Sequence, residues 1–441
     1  MTRELILGVL LEVTRDGEYS HIALRNVLNK YQYLDKKERA FITRVTEGTL
    51  ERMMELDYII NQFSNVKVNK MKPVIRNILR SAVYQMKYMD SVPNSAACNE
   101  AVKLAVKKGF SNLKGFVNGV LRNIDRNLAN LELPEDLSIR YSMPEWILEQ
   151  WLSTYNKETV ERMLQDFQEE KPTTIRCNLN RIDKEGLIQK LEGEGVTVKQ
   201  HPYLTYALEM SGYDYLGDLE SFTEGLFYVQ DISSMLVSHI ANPKKGDCVI
   251  DVCAAPGGKA LHMAELLEGT GSVEARDLTE YKISLIRENI SRTGVSNMKA
   301  VRWDATVRDE ASIAKADIVI ADLPCSGLGV LGKKTDLKYK MTSQTQKDLV
   351  ALQRKILSTV KDYVKPGGTL VYSTCTIHHE ENIGNVQWFL KENPEFRLAS
   401  IEENLCGELK ASVKEGCLQL LPGIHHSDGF FIAKLERVKY E

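Results

Sequence analysis

The sequence reads as a multidomain chain: an all-α front, a small α+β middle module and an α/β doubly wound domain at the back. Three observations predict that order. Apolar residues recur at helical spacing over about the first 130 positions, as in Leu5, Ile6, Val9, Leu10 and Val13, and again in Val74, Ile75, Ile78, Leu79 and Val83. Helical and strand-like runs mix between 145 and 235. From 236 onward, short apolar runs alternate with helical stretches, the pattern of a mainly parallel sheet covered on both faces. A chain of 441 residues is too long for one core, and boundaries are expected at 1–138, 139–235 and 236–438.

The elements follow in order. Thr2 and Glu4 open the first helix. Pro93 breaks the chain at 90–94, because proline disfavours helix in the residue before it. The next helix runs through Ala101 and Val106 and stops at Lys107-Lys108-Gly109, where basic residues precede a glycine. Residues 131–144 hold two prolines and no clear period, a linker pattern. Helices are expected at 145–151 and 157–167, then strands at 173–178 and 196–199 with a helix at 183–192 between them. The back domain offers strands at 248–252, 271–275, 300–303, 318–321 and 369–373.

The formal net charge of −3 conceals an asymmetry. Up to Arg140 there are 22 Lys+Arg against 16 Asp+Glu; the remainder holds 35 against 44. A basic front suits a polyanionic partner, although a solvated helical surface explains the same charge. No apolar run reaches 18 residues, so no membrane partner is expected. The N-terminus does not read as a signal peptide, which predicts a cytoplasmic protein. Eight cysteines lack any C-x-x-C pair or zinc-finger histidine spacing, so they are expected to be reduced and metal-free.

The chemistry concentrates in the back domain. Residues 249–260 read as a buried strand, a tight turn at Gly257-Gly258 and a helix start. Without Cβ, those glycines let a ligand approach the backbone, and the first strand-to-helix turn of a doubly wound sheet is where nucleotide-like cofactors sit. Asp277, Asp304 and Asp322 each follow one of the next three strands, at the edge where such sheets bind ligands. Any one of them could equally be a turn or N-cap aspartate; three in register are less readily explained so. Cys325 and Cys375 end strands at the same edge, whereas Cys98, Cys177, Cys248, Cys406 and Cys417 read as small buried hydrophobes. Either strand-end thiol could be a nucleophile if its pKa were lowered. The pairs His378-His379 and His425-His426 point apart and chelate one metal poorly. Lys333, Lys334, Lys338 and Lys340 form a basic stretch that suits a phosphate contact or, more simply, a solvated loop.

Two resemblances sharpen these readings. Residues 34–41, 100–102 and 116–122 are similar to the helical RNA-binding domain of the NusB family. Asp-Val-Cys-Ala-Ala-Pro-Gly-Gly-Lys at 251–259, Asp-Leu-Pro-Cys-Ser-Gly at 322–327 and Tyr-Ser-Thr-Cys-Thr-Ile at 372–377 resemble three motifs of the RNA cytosine-C5 methyltransferases, in family order. The sequence departs from the family pattern at Ala260, at residues 274–276 and at 332–336. The resemblance implies a class I, Rossmann-like methyltransferase domain behind a NusB-like front. It implies S-adenosyl-L-methionine as cofactor, held by Cys253, Ala254, Ala255, Pro256, Gly257, Gly258, Lys259, Asp277, Asp304 and Asp322. It implies 16S rRNA as partner, with cytosine 967 as target, and catalysis through a thiolate added at the ring. Cys375 would be that nucleophile, Cys325 would assist product release, and Asp322 would hold the cytosine N3 and amine. The protein is expected to act as a monomer. A non-catalytic rRNA-binding assembly factor on the same fold is the alternative, weakened by the presence of both thiols. An amino-group methyltransferase does not fit Leu323-Pro324-Cys325.

Overall fold

A computed structural model describes residues 1–439. Two compact units divide the chain: Met1–Gln168 with Leu331–Lys340, and Glu169–Val330 with Met341–Glu441.

The first unit is helical. Its core joins Leu10, Ile42, Ile59, Ile78, Leu79 and Leu121, all at most 1% exposed. The amphipathic stripes read from the sequence therefore face one another, and each buried Leu or Ile contributes about 1.5–3 kcal/mol. Helix ends follow local chemistry. Asp35 accepts from Glu38 N at 2.8 Å at the start of Lys36–Glu51, and Pro73 opens Pro73–Tyr88. Gly109, at φ +86, follows Asn94–Lys107, where the sequence places the stop. The helices Glu145–Leu152 and Lys157–Asp166 fall in this unit. Past residue 140 the chain is tied to the helices, since Ser142 Oγ accepts from Glu55 N at 3.0 Å.

The segment 331–340 also belongs to this unit and corrects one expectation. Lys333 and Lys334 are exposed, but Lys338 is neither solvated nor free for a phosphate. It is 4% exposed, and its Nζ donates to Glu51 O at 2.8 Å. Burial pushes its pKa down to about 7. Asp336 is buried as well, accepting from Ser20 N at 3.1 Å and Ser20 Oγ at 2.5 Å.

The second unit holds two sheets. The smaller contains β1 (Thr173–Cys177), β2 (Thr197–Gln200), β3 (Ala207–Ser211) and β4 (Phe227–Val229), antiparallel in the order β2-β3-β1-β4. The larger contains β5 (Cys248–Asp251), β6 (Ser272–Asp277), β7 (Met298–Arg302), β8 (Ala316–Asp322) and β9 (Val364–Thr374) as its parallel part. Its antiparallel edge comprises β10 (Phe396–Leu398), β11 (Val413–Lys414), β12 (Cys417–Leu420) and β13 (Phe430–Arg437). The main order is β11-β12-β13-β9-β8-β5-β6-β7, with β10 beside β13. The five expected parallel strands are all present; β3, β4 and the antiparallel edge are additions.

In the parallel part the chain reverses direction across the sheet after β7, returning to β8 beside β5. That switch places the carboxyl ends of β5, β6, β8 and β9 around one crevice, where open α/β sheets bind ligands.

Candidate active site

The turn after β5 is shaped by its glycines. Gly257 sits at φ +112, a conformation that costs a residue with Cβ about 1 kcal/mol or more. It caps the helix Gly258–Leu266, and a Cβ on Gly258 would stand 3.0 Å from the Tyr228 ring. Behind the turn, Arg176 is 1% exposed and donates to Gly258 O at 3.0 Å and to the Gln230 side chain. The same guanidinium forms a bidentate pair with Glu265, at 3.0 and 2.8 Å. Sequence alone assigns no role to Arg176 or Glu265. Arg176 lies in a strand of the small sheet, far along the chain from the turn it braces.

The strand-end carboxylates have distinct surroundings. Asp277 accepts from Ala255 N at 3.0 Å and Leu278 N at 2.7 Å, and pairs with Lys282 at 2.9 Å. Asp251 accepts from Cys253 N at 3.3 Å through one oxygen; its other oxygen is buried with no partner among the described residues. Burial, then the charge of Asp322, pushes the Asp251 carboxyl up to about 7. Cys253 lies beside it, half-buried, and burial pushes that thiol up as well. Asp304 is exposed and closes a local turn, accepting from Thr306 N and Oγ1, each at 2.8 Å. The backbone hydrogen bond, then the side-chain one, holds its carboxyl below the usual range.

S-adenosylmethionine carries an ammonium, hydroxyls and a carboxylate. The residues fit that group: a glycine turn opening a helix N-terminus, an orphaned carboxylate oxygen on Asp251, and Asp277 at the next strand end.

Asp322 ends β8. It receives Lys259 Nζ at 2.7 Å and the Ser373 hydroxyl at 2.9 Å. Burial works against the Lys259 ammonium, but Asp322, Asp251 and the charge of Cys375 outweigh it and raise its pKa. Lys259 also lies over the Phe430 ring at 5.3 Å. The loops after β8 and β9 bring Cys325 and Cys375 together, with Sγ atoms 3.3 Å apart. The hydrogen bond with Cys375, then burial, holds the Cys325 thiol well above its ordinary range. A thiolate on Cys375 has the Cys325 sulfur 3.3 Å away and the Lys259 ammonium as a favourable charge.

Glu381 braces the Cys325 loop and was missed in the sequence. It is fully buried and accepts from Ser326 N at 2.8 Å and Gln353 Nε2 at 3.0 Å. His378 Nδ1 lies 3.1 Å from its other oxygen. Gln353 also donates to Pro324 O at 2.8 Å, and Ser326 Oγ bonds Thr376 Oγ1 at 2.7 Å, linking the two cysteine loops. In the sequence only the neighbouring pair His378-His379 draws attention, as a poor chelator, and nothing local marks Glu381.

Comparison with known proteins agrees with this layout. The chain matches the NusB family over residues 1–126, an RsmF/B-like methyltransferase ferredoxin-like domain over 143–213, and 16S rRNA methyltransferase RsmB/F over 238–436. It is 35% identical to the probable ribosomal RNA small subunit methyltransferase B of Bacillus subtilis, covering 99% of this chain and 98% of the relative. Identity to the protein of the same description from Synechocystis is 33%, over 99% of each. Among solved structures it resembles PH0851, at a TM-score of 0.84 and 26% identity, over 99% of this chain and 98% of that one.

Proposed function

The chain belongs to the RsmB/F family of 16S rRNA methyltransferases, S-adenosylmethionine-dependent enzymes, and from that premise we propose that it methylates C5 of one cytosine through a covalent adduct. The observation that carries the reading is the 3.3 Å approach of Cys325 and Cys375 beside the Lys259–Asp322 pair.

Cytosine C5 is a poor nucleophile. The Cys375 thiolate adds to C6, forming an S–C6 bond and moving the C5=C6 electron pair onto C5. Lys259 balances the thiolate before attack. Asp322 holds N3 and the exocyclic amine as charge develops on the ring. Bound S-adenosylmethionine supplies the electrophilic methyl group that C5 receives. The turn 253–259 with Asp277 and Asp304 holds it. A base then takes the C5 proton, the C5–H electron pair re-forms C5=C6, and the C6–S bond breaks to release the Cys375 thiolate; Cys325, which already hydrogen-bonds the leaving sulfur, assists that departure. The base must leave any stack to reach the thiols. The target is cytosine 967 of 16S rRNA, the protein acts as a cytoplasmic monomer, and the domains are 1–138, 139–235 and 236–438.

The test uses labelled S-adenosylmethionine and unmodified small-subunit rRNA. Cys375→Ala is expected to abolish transfer, and Cys325→Ala to accumulate a protein–RNA adduct on a denaturing gel. An adduct with Cys375→Ala instead would exchange the two roles. RNA binding without transfer by the wild-type chain would leave an assembly factor.

A further inference from the structure

A cavity of about 280 Å³ lies within the helical unit, between its first helices and the segment 331–340. Thr14, Arg15, Arg76, Arg80, Tyr339 and Lys340 are among its lining residues. Three of the four cations have carboxylate partners. Arg15 pairs with Asp16 at 2.7 Å, Arg80 with Asp57 at 2.5 Å, and Lys340 with Asp336 at 2.8 Å. Arg76 does not, and its Nε is buried with no hydrogen-bond partner among the described residues. A guanidinium N–H removed from water and left unpaired costs about 1–3 kcal/mol, more for a charged group, so the cavity is short of one anionic acceptor.

The rim says which kind of anion. Lys340 stands 4.3 Å from the centre of the Tyr19 ring, and Tyr19 is 43% exposed. The His21 ring is tilted 40° to that of Tyr19, with ring centres 5.9 Å apart. An exposed aromatic pair beside a cationic pocket offers a base-stacking platform next to a phosphate seat. Burial first, and then the charges of Lys334, Arg25 and Lys340 against that of Asp336, lower the pKa of His21.

Resting on the rRNA substrate proposed above, we infer that this cavity seats one phosphodiester of the RNA on Arg76, with the neighbouring base stacked on Tyr19. The wall that contains Tyr339 and Lys340 belongs to the segment that leaves the Cys325 motif a few residues earlier in the chain. Seating a phosphate therefore fixes the segment anchored by Asp336 on Ser20.

Filter binding of the full chain across 50–200 mM KCl tests this, with a 16S rRNA fragment and with poly(U) as probes. A phosphate contact is blind to sequence, so both probes read it. Arg76→Gln is expected to weaken both about tenfold at the lower salt and to flatten the slope of log affinity against log salt by roughly 0.7–0.9. Tyr19→Ala is expected to weaken binding with the slope unchanged. The affinity for S-adenosylmethionine and the kcat at saturating RNA are expected to hold, with KM for RNA rising. A wild-type slope in Arg76→Gln would overturn the inference. Should that variant melt lower than wild type, Arg76→Lys must restore the slope, which a purely structural role would not require. A wild-type chain that fails to methylate 16S rRNA but shows the slope change on poly(U) would sink the functional reading and keep this one.

Discussion

Replacing Glu265 by Gln is expected to destabilise the second unit severely while leaving its shape intact. Gln is isosteric, so no cavity forms. What changes is charge: Arg176, 1% exposed, loses the carboxylate that meets it at 2.8 and 3.0 Å. Stranding one member of a buried pair costs about 3–5 kcal/mol. For a unit of this size each kcal/mol moves Tm by about 2–4 °C, so the shift should be roughly 6–20 °C. Differential scanning calorimetry of the full chain reads it. The companion Arg176→Met/Glu265→Leu removes both charges and should recover most of the lost Tm, because a buried pair and a well-packed apolar pair are close in energy. It should not recover cofactor affinity, since Gly258 O loses the donor that holds the glycine turn. A Tm within about 2 °C of wild type in Glu265→Gln, or a double variant less stable than the single one, would refute the reasoning.

Other expectations follow from single contacts. Asp251 titrates near 7 when folded against 3.8 for the free side chain. A raised pKa contributes stability that is complete below about pH 4 and lost as pH rises through about 7, roughly 4 kcal/mol in all. Asp251→Asn, neutral throughout, should flatten that part of the curve; urea melts of the ligand-free protein at pH 5 and pH 8 that keep the wild-type difference would count against it. In Gly329→Ala the new Cβ would lie 2.0 Å from Gly429 O, a backbone atom, so methyl transfer should be lost with a lower Tm; wild-type turnover would contradict this. Asp35→Ala removes an N-cap and should cost the helical unit about 1 kcal/mol, read by urea denaturation, with RNA affinity unaltered.

The ligand edge was legible because its geometry is local and periodic. A strand ending in Asp or Cys before a turn places that side chain at the carboxyl end of a parallel sheet, and the switch in strand order gathers those ends. Thus Asp277, Asp322, Cys325 and Cys375 could be placed one by one. The antiparallel edge was not legible in the same way. Val413–Lys414 is too short to carry a period, and the apolar start of Phe430–Arg437 suits helix as well as strand. Its identity as a strand comes from pairing with β9, register Phe431 to Thr374, which no local pattern encodes.

The supporting groups were hidden for a related reason. Lys338 looks solvated beside Lys333, Lys334 and Lys340, yet its acceptor is a carbonyl 287 positions away. Nothing local marks Glu381, yet it serves Ser326 N, 55 positions earlier. In each case burial of a charged group is decided by a partner distant in sequence, and a charge without its partner always reads as surface. Sequence therefore exposes the groups gathered at the strand ends, which obey strand-end geometry. The groups that hold those in place obey pairwise satisfaction, and that is written only in three dimensions.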